Sequence, residues 1–199
     1  MKNIRILFCV LIFSSPGIIG AQITGVSIDS FSGEFSVRYA VNTVNDSGLS
    51  GGIHSNLTSD MWLTSLSGSD YIVFDLGANY DVTDLHVWNY FETDATLRGI
   101  NSVTISYDTT VAGDEFTSAG SYDFASETDG SGSDIAISTL TNARLVRFDV
   151  NSTHGSVAYV GLSEVQFTSA VPEASTWGVI AGLVSLGVVA WRKRFSKRN

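Results

Sequence analysis

One short loop has a residue type and a backbone pattern suited to a metal ion. Segment 45–49, read as Asn-Asp-Ser-Gly-Leu, places the carboxylate of Asp46 close to a glycine. Calcium takes six to eight oxygen ligands, commonly carboxylates together with backbone carbonyls that converge from a tight loop. The segment therefore predicts a structural Ca²⁺ site at Asp46, and a simple Asx turn around the same residue is the alternative.

A second candidate for chemistry is Arg98, one of only four arginines between residues 22 and 170, a stretch without lysine. It follows a polar loop that begins at Asn89. A guanidinium offers up to five N–H donors in a fixed fork, which suits vicinal sugar hydroxyls or the carboxylate of a uronic acid. The alternative is an ion pair with Glu92 or Asp94 that holds the loop in place.

Residues 22–170 contain little that points to catalysis. They contain no cysteine, and their histidines are His54, His86 and His154. No His-Glu-x-x-His motif or phosphate-binding glycine loop occurs. Carboxylates are abundant, but no spacing marks a pair for glycoside hydrolysis. We therefore expect a protein that is not an enzyme.

Composition limits the class of protein further. The 199 residues allow one ordinary domain with short extensions, and 16% charged residues is well below the usual roughly 25%. Residues 22–170 have four arginines and 19 acidic residues, a formal charge of −15. Such a charge argues against nucleic-acid binding and favours divalent cations, although solubility alone would also explain it.

Apolar and polar residues alternate with a period of two in many segments, which is typical of β-strands. Turn-rich segments separate them, and no segment has a convincing helical period. The predicted strands are 34–41, 71–76, 84–90, 103–107, 134–137, 143–150 and 157–167. The pattern predicts an all-β fold, an antiparallel sandwich or jelly roll.

Several short motifs follow one another in a recognisable order. A loop ends in Met61-Trp62, a strand contains Phe74-Asp75-Leu76-Gly77, Arg98-Gly99 precedes another strand, and Ser163-Glu164-Val165 lies in the last one. This order resembles the discoidin, or coagulation factor 5/8 type C, domains over about residues 40–168. The resemblance implies a galactose-binding-like jelly-roll β-sandwich.

The resemblance also implies functional residues. Asp60 and Glu164 would face the Asp46 loop and share the calcium. Loops at one end of the sandwich would bind carbohydrate, with candidates His54, Asn56, Asn89, Tyr90, Glu92 and Arg98. The implied function is a non-catalytic carbohydrate-binding or adhesive domain that contacts an extracellular polysaccharide or surface glycan. The alternatives are a purely structural matrix protein without a defined ligand and a glycan-active enzyme.

The N-terminus has the three parts of a secretory signal. Lys2 and Arg5 precede an apolar run at 6–13, and small residues follow at Gly20 and Ala21. We predict a signal peptide over 1–21 with cleavage after Ala21. The folded domain is then 22–170.

The C-terminus combines Val171-Pro172-Glu173, an uncharged apolar stretch at 174–191 and a basic tail at 192–198. Eighteen residues are just long enough for a transmembrane helix, and the basic tail would remain in the cytoplasm. Segment 171–199 resembles the PEP-CTERM sorting signal of Gram-negative bacteria, although Ala174 replaces its second proline. The resemblance implies an exosortase partner, transient or anchored contact with the inner membrane, and delivery to the cell surface, outer membrane or extracellular matrix. A plain membrane anchor is the alternative.

Overall fold

The computed structural model describes residues 20–170. The predicted sorting motif Val171-Pro172-Glu173, the apolar stretch 174–191 and most of the predicted signal peptide lie outside these residues. Within 20–170, no helix is long and apolar enough to cross a membrane. The strands are β1 Gly20–Gln22, β2 Ser27–Phe31, β3 Leu49–Ser50, β4 Ile53–His54, β5 Trp62–Ser65, β6 Tyr71–Asn89, β7 Ile100–Asp108, β8 Thr117–Asp123, β9 Ser133–Thr153 and β10 Tyr159–Ala170.

Eight of these strands form an antiparallel sheet in the order β1-β10-β6-β9-β7-β8, with β2 added beside β6 and β5 beside β10. β3 and β4 form a separate hairpin. The long strands β6 and β9 shift register between Asp75 and Asp84, so each contributes to both halves of the fold. Gly77, in the left-handed region at φ 80°, allows β6 to turn there at no steric cost.

The two halves of the bent sheet face each other across one aromatic core. Phe74, in the first half of β6, lies 5.2 Å from Phe167 of β10 and 5.1 Å from Phe148 of β9 between ring centroids. Phe124 joins Phe148 at 5.7 Å. All four rings are buried, and full burial of such a side chain contributes about 1.5–3 kcal/mol. The fold is therefore an all-β sandwich, as predicted.

The pairings define two ends of the sandwich. Asn89 pairs with Leu162, and Ile100 pairs with Thr153, so the connecting segments 32–61, 90–99, 124–132 and 154–158 gather at one end, here called the loop end. At the opposite end Gly20 pairs with Ala170. The described chain thus begins and ends far from the loop end. β1 starts two residues before the predicted first residue of the domain, Gln22.

The predicted strand at 34–41 is wrong. Phe35 and Arg38 form only an isolated bridge, Ser36 has a positive φ of 60°, and a short 3₁₀ helix follows at Ala40–Thr43. The Phe35 N–H and the Arg38 carbonyl both bond to Leu63 of β5, but the left-handed turn at Ser36 between them prevents a continuous strand. The strands predicted at 71–76 and 84–90 are parts of the single strand β6, and those at 103–107 and 143–150 lie within β7 and β9.

Candidate functional site

An ion-pair cluster at the loop end joins side chains from two of these segments, 32–61 and 90–99. Glu92 accepts a hydrogen bond from Arg38 Nη2 at 2.9 Å, from Arg98 Nη1 at 2.6 Å and from the hydroxyl of Tyr90 at 2.5 Å. Arg38 Nε also donates to the Tyr90 oxygen at 3.0 Å. The ion pair between Arg98 and Glu92, one of the two alternatives from the sequence, is therefore present.

The cluster has an excess of positive charge. Arginine stays protonated in proteins, and burial together with the hydrogen bond to Glu92 raises the pKa of Tyr90 to about 12. Two guanidiniums and one carboxylate thus leave one net positive charge. Burial alone would lower the pKa of Arg38, but Tyr90 and Glu92 raise it on balance.

Aromatic and aliphatic side chains border this cluster. The rings of Phe35 and Tyr159 are 4.8 Å apart in an edge-to-face arrangement, and the Arg98 guanidinium lies 5.2 Å from the Tyr159 centroid. Phe35 remains 39% exposed. Leu97 and Val157, on the adjoining loops, are also exposed. The loop end therefore places partly exposed aromatic rings beside the Arg98 guanidinium.

Two of the predicted ligand residues are buried supports of this surface. Asn89 donates to the carbonyls of Ile100 and Ala125, and its Oδ1 accepts the N–H groups of Ile100 and Tyr90. A Cβ at Gly99 would lie 2.7 Å from that oxygen, which explains why glycine follows Arg98. Asn89 and Tyr90 thus position the loop, and a direct ligand contact by either one stays a prediction.

The other predicted ligand residues differ in exposure. His54 is buried, with Nδ1 2.8 Å from the Ser55 carbonyl, and its Nε2 has no hydrogen-bond partner within residues 20–170. Asn56 is exposed and donates to the Thr93 hydroxyl at 2.9 Å. Glu92 and Arg98 belong to the cluster itself. Sequence reasoning did not find Arg38, Phe35 or Tyr159, although the rarity of arginine could have pointed to Arg38.

Glu164 has the most perturbed carboxyl group of the described residues. It is 1% exposed, and its Oε2 has no hydrogen-bond partner in the described part of the chain. Burial raises the pKa of Glu164 to about 8; the Asp46 backbone N–H opposes this rise and the Asp46 carboxylate adds to it. Both residues line a cavity of about 90 Å³ beside segments 22–26 and 44–46.

Asp60, the third predicted metal ligand, has other partners. Its two oxygens accept hydrogen bonds from the hydroxyls of Ser55 and Ser59 at 2.6 and 2.9 Å. Its Oδ2 would lie 2.7 Å from a Cβ at Gly48, so it flanks the same loop as Asp46. Across residues 20–170, no three His, Cys, Asp or Glu side chains form a group that could hold a metal.

A groove of about 450 Å³ lies beside the outer face of β6. His86, predicted to be a strand residue, is half-buried there, with Nδ1 2.6 Å from Asp134 and Nε2 3.2 Å from the Ser131 carbonyl. Trp88 is buried and donates its indole N–H to the Gly52 carbonyl. Both ring nitrogens of His86 face acceptors of this chain.

Comparison with known proteins gives structural matches alone. No protein-family model and no curated protein matches the sequence. The third carbohydrate-binding module of family 32 (CBM32-3) from a Clostridium perfringens family 31 glycoside hydrolase has a TM-score of 0.59 at 14% identity, covering 75% of this chain and 94% of that one.

Two further structures are similar. The F5/8 type C domain of a Bacteroides fragilis protein has a TM-score of 0.56 at 16% identity, covering 78% of this chain and 99% of that one. The family 32 module of Clostridium perfringens NanJ, in complex with galactose, has a TM-score of 0.56 at 12% identity and covers 76% and 100%. The described chain therefore has the galactose-binding-like β-sandwich fold of discoidin-like and family 32 carbohydrate-binding domains.

Proposed function

We propose that residues 20–170 are a non-catalytic carbohydrate-binding domain that uses the loop end. The observation that carries the proposal is the shared surface of partly exposed rings and guanidinium groups around Phe35, Arg98 and Tyr159. Sugar-binding sites commonly combine a flat aromatic face with a few fixed polar groups. The family 32 module of NanJ, which has the same fold and was solved in complex with galactose, adds support.

The surface is held in place before any ligand arrives. Asn89 fixes the start of the 90–99 loop with four hydrogen bonds, and Glu92 ties Arg38 and Arg98 together. A side chain already immobilised loses little further conformational freedom on binding, so less affinity is lost to ordering.

Polysaccharide retention tests this function. The full-length chain should be retarded in native gels that contain its polysaccharide, and Arg98→Ala should remove the retardation. Arg144→Ala is the matched control, because Arg144 pairs with Asp75 away from the loop end and should leave retention unchanged. Failure of every polysaccharide tested to retard the native chain would instead favour the structural matrix protein.

We also propose that Ca²⁺ binds beside Glu164 and stabilises the Asp46 loop. Glu164 offers a buried carboxyl oxygen without a partner, Asp46 offers a second carboxylate, and carboxylate oxygens are donors that calcium prefers. Asp60 would contribute only if its hydroxyl partners moved aside. Elemental analysis of the purified chain tests the proposal, with Glu164→Gln as the variant that should lose the metal.

We further propose that the chain is exported, and that its C-terminal segment is recognised by an exosortase and cleaved near Pro172-Glu173. Intact-mass measurement of surface material tests the processing. Recovery of chains that keep residues 177–199 would favour the plain membrane anchor.

A further inference from the structure

We propose that the loop end binds an acidic saccharide, and that Arg98, supported by Arg38, recognises the carboxylate of a uronic acid. This inference rests on the proposed carbohydrate-binding function and names its ligand class. The binding surface, here called the arginine platform, consists of Arg38, Arg98, Phe35 and Tyr159.

The balance of charges distinguishes the arginine platform from the rest of the domain. Elsewhere each arginine has its own carboxylate: Arg144 pairs with Asp75, and Arg147 pairs with Asp149. Arg38 and Arg98 share the single carboxylate of Glu92. The platform is therefore short of one negative charge, which a bound carboxylate would supply.

Arg98 keeps hydrogen-bonding capacity for such a ligand. Its guanidinium donates from Nη1 to Glu92, and its side chain remains 29% exposed. A guanidinium has five N–H donors in one plane, so Nε and Nη2 can still donate to two carboxylate oxygens. Arg38 is more buried and uses Nε and Nη2 internally. It acts as a positioning residue that adds positive charge.

The rings supply the second half of recognition. The Tyr159 ring contacts Phe35, with centroids 4.8 Å apart, and its centroid also lies 5.2 Å from the Arg98 guanidinium. A pyranose ring could lie against the exposed Phe35 face while its carboxylate reaches Arg98. Such contact depends on the sugar ring and is the same for an acid and its ester. Charge and stacking are therefore separable by experiment.

The acidic surface of the domain does not prevent this binding. At an ionic strength of about 0.15 M the screening length is about 8 Å, so distant carboxylates act weakly on a bound anion. Contacts within hydrogen-bond distance are screened much less. The local excess charge at the platform therefore outweighs the formal charge of −15 carried by residues 22–170.

The test compares oligomers of galacturonate, glucuronate and mannuronate with their methyl esters, using calorimetry on the full-length chain at physiological salt. We expect at least one acid to bind about tenfold or more tightly than its ester. Arg98→Lys keeps the charge but removes the fork, and it should lower the acid-to-ester ratio about tenfold. Phe35→Ala should weaken acid and ester equally. Arg144→Lys is the matched control and should change neither.

Each result has a distinct meaning. Equal affinity for acids and esters, or binding of neutral oligosaccharides alone, would overturn the acidic ligand and leave the carbohydrate-binding function in place. Binding to anionic lipid vesicles without binding to any saccharide would overturn both. Thermal melting of Arg98→Lys controls for folding, and the unchanged ester affinity of a folded variant identifies a loss specific to the carboxylate.

Discussion

Glu92 and Glu164 are the same residue type in two different environments. Glu92 is partly exposed, and two arginines and a tyrosine donate to its oxygens. Glu164 is buried, has an oxygen without a partner and lies beside another carboxylate, Asp46. The charge of Glu92 is therefore compensated by the protein itself, whereas the charge of Glu164 needs a proton or a cation.

The contrast between Glu92 and Glu164 shows that the role of a carboxylate depends on its partners as well as on its burial. A compensated carboxylate stabilises its surroundings and aligns the arginines that contact it. A buried carboxylate without a compensating partner destabilises the folded state when it is charged. A bound divalent cation compensates that charge and thereby stabilises the folded state. The loop end and the Glu164 cavity should thus respond in opposite ways to loss of negative charge.

The largest expected effect is the pH dependence of the metal-free protein. The pKa of Glu164 is about 8 in the folded chain against an ordinary value of 4.5, so the folded state holds this proton more tightly than the unfolded state. The free energy of unfolding should therefore fall as pH rises from about 4.5 to about 8, by about 1.4 kcal/mol per pH unit at most.

Urea titrations in chelator at several pH values measure this slope. For Glu164→Gln, the free energy of unfolding should fall less steeply over the same pH range. At pH 8 this variant should be more stable than the native chain. Parallel curves for the two proteins would show that Glu164 titrates normally, and the contrast with Glu92 would be lost.

Calcium should give the next largest effect. At a concentration about 100 times its Kd, a ligand specific to the folded state adds about 2.7 kcal/mol. In a domain of this size that corresponds to a rise in Tm of about 5–10 °C. Calorimetric scans with calcium and with chelator measure this change in Tm. The Tm of Glu164→Gln should be the same in both. Identical scans for the native chain would argue against the metal.

Removal of the Glu92 charge should cost about 2 kcal/mol. Glu92→Gln leaves Arg38, whose side chain is 13% exposed, next to Arg98 without a shared counter-ion. Urea denaturation at pH 7 measures the loss. In chelator at pH 8, Glu164→Gln should instead raise the free energy of unfolding, so the two substitutions change it in opposite directions. A change in the same direction for both would contradict the contrast between Glu92 and Glu164.

The smallest effect is expected for an exposed pair. Asp149→Asn removes the carboxylate that Arg147 contacts at 2.6 Å, but Asp149 is 40% exposed. Arg147 also keeps its position 4.1 Å from the Tyr71 ring centroid. We expect a loss of about 0–1 kcal/mol by the same urea assay. A loss as large as that of Glu92→Gln would mean that sharing between two arginines is not what makes Glu92 important.

Much of the fold followed from local patterns. Alternation predicted β7 and the second half of β9. Successive side chains of a strand point to opposite faces of the sheet, so core-facing apolar residues recur at every second position. The same rule failed at 34–41, where a left-handed turn at Ser36 interrupts the pairing with β5. It also missed β2 and β8, whose polar residues leave few apolar positions to repeat.

The all-β class, the strongly acidic balance and the scarcity of arginine could be read from the amino-acid sequence alone. The groups that contact Glu92 and Glu164 became known only from the tertiary structure. Arg38 and Glu92 are 54 residues apart, and Asp46 meets Glu164 only because the 44–46 loop lies beside the last strand. The alternation of apolar and polar residues indicates which face of the sheet a side chain lies on. The charged group that contacts that side chain comes from a segment distant in the sequence. Whether a carboxylate is compensated therefore depends on long-range packing that no local pattern encodes.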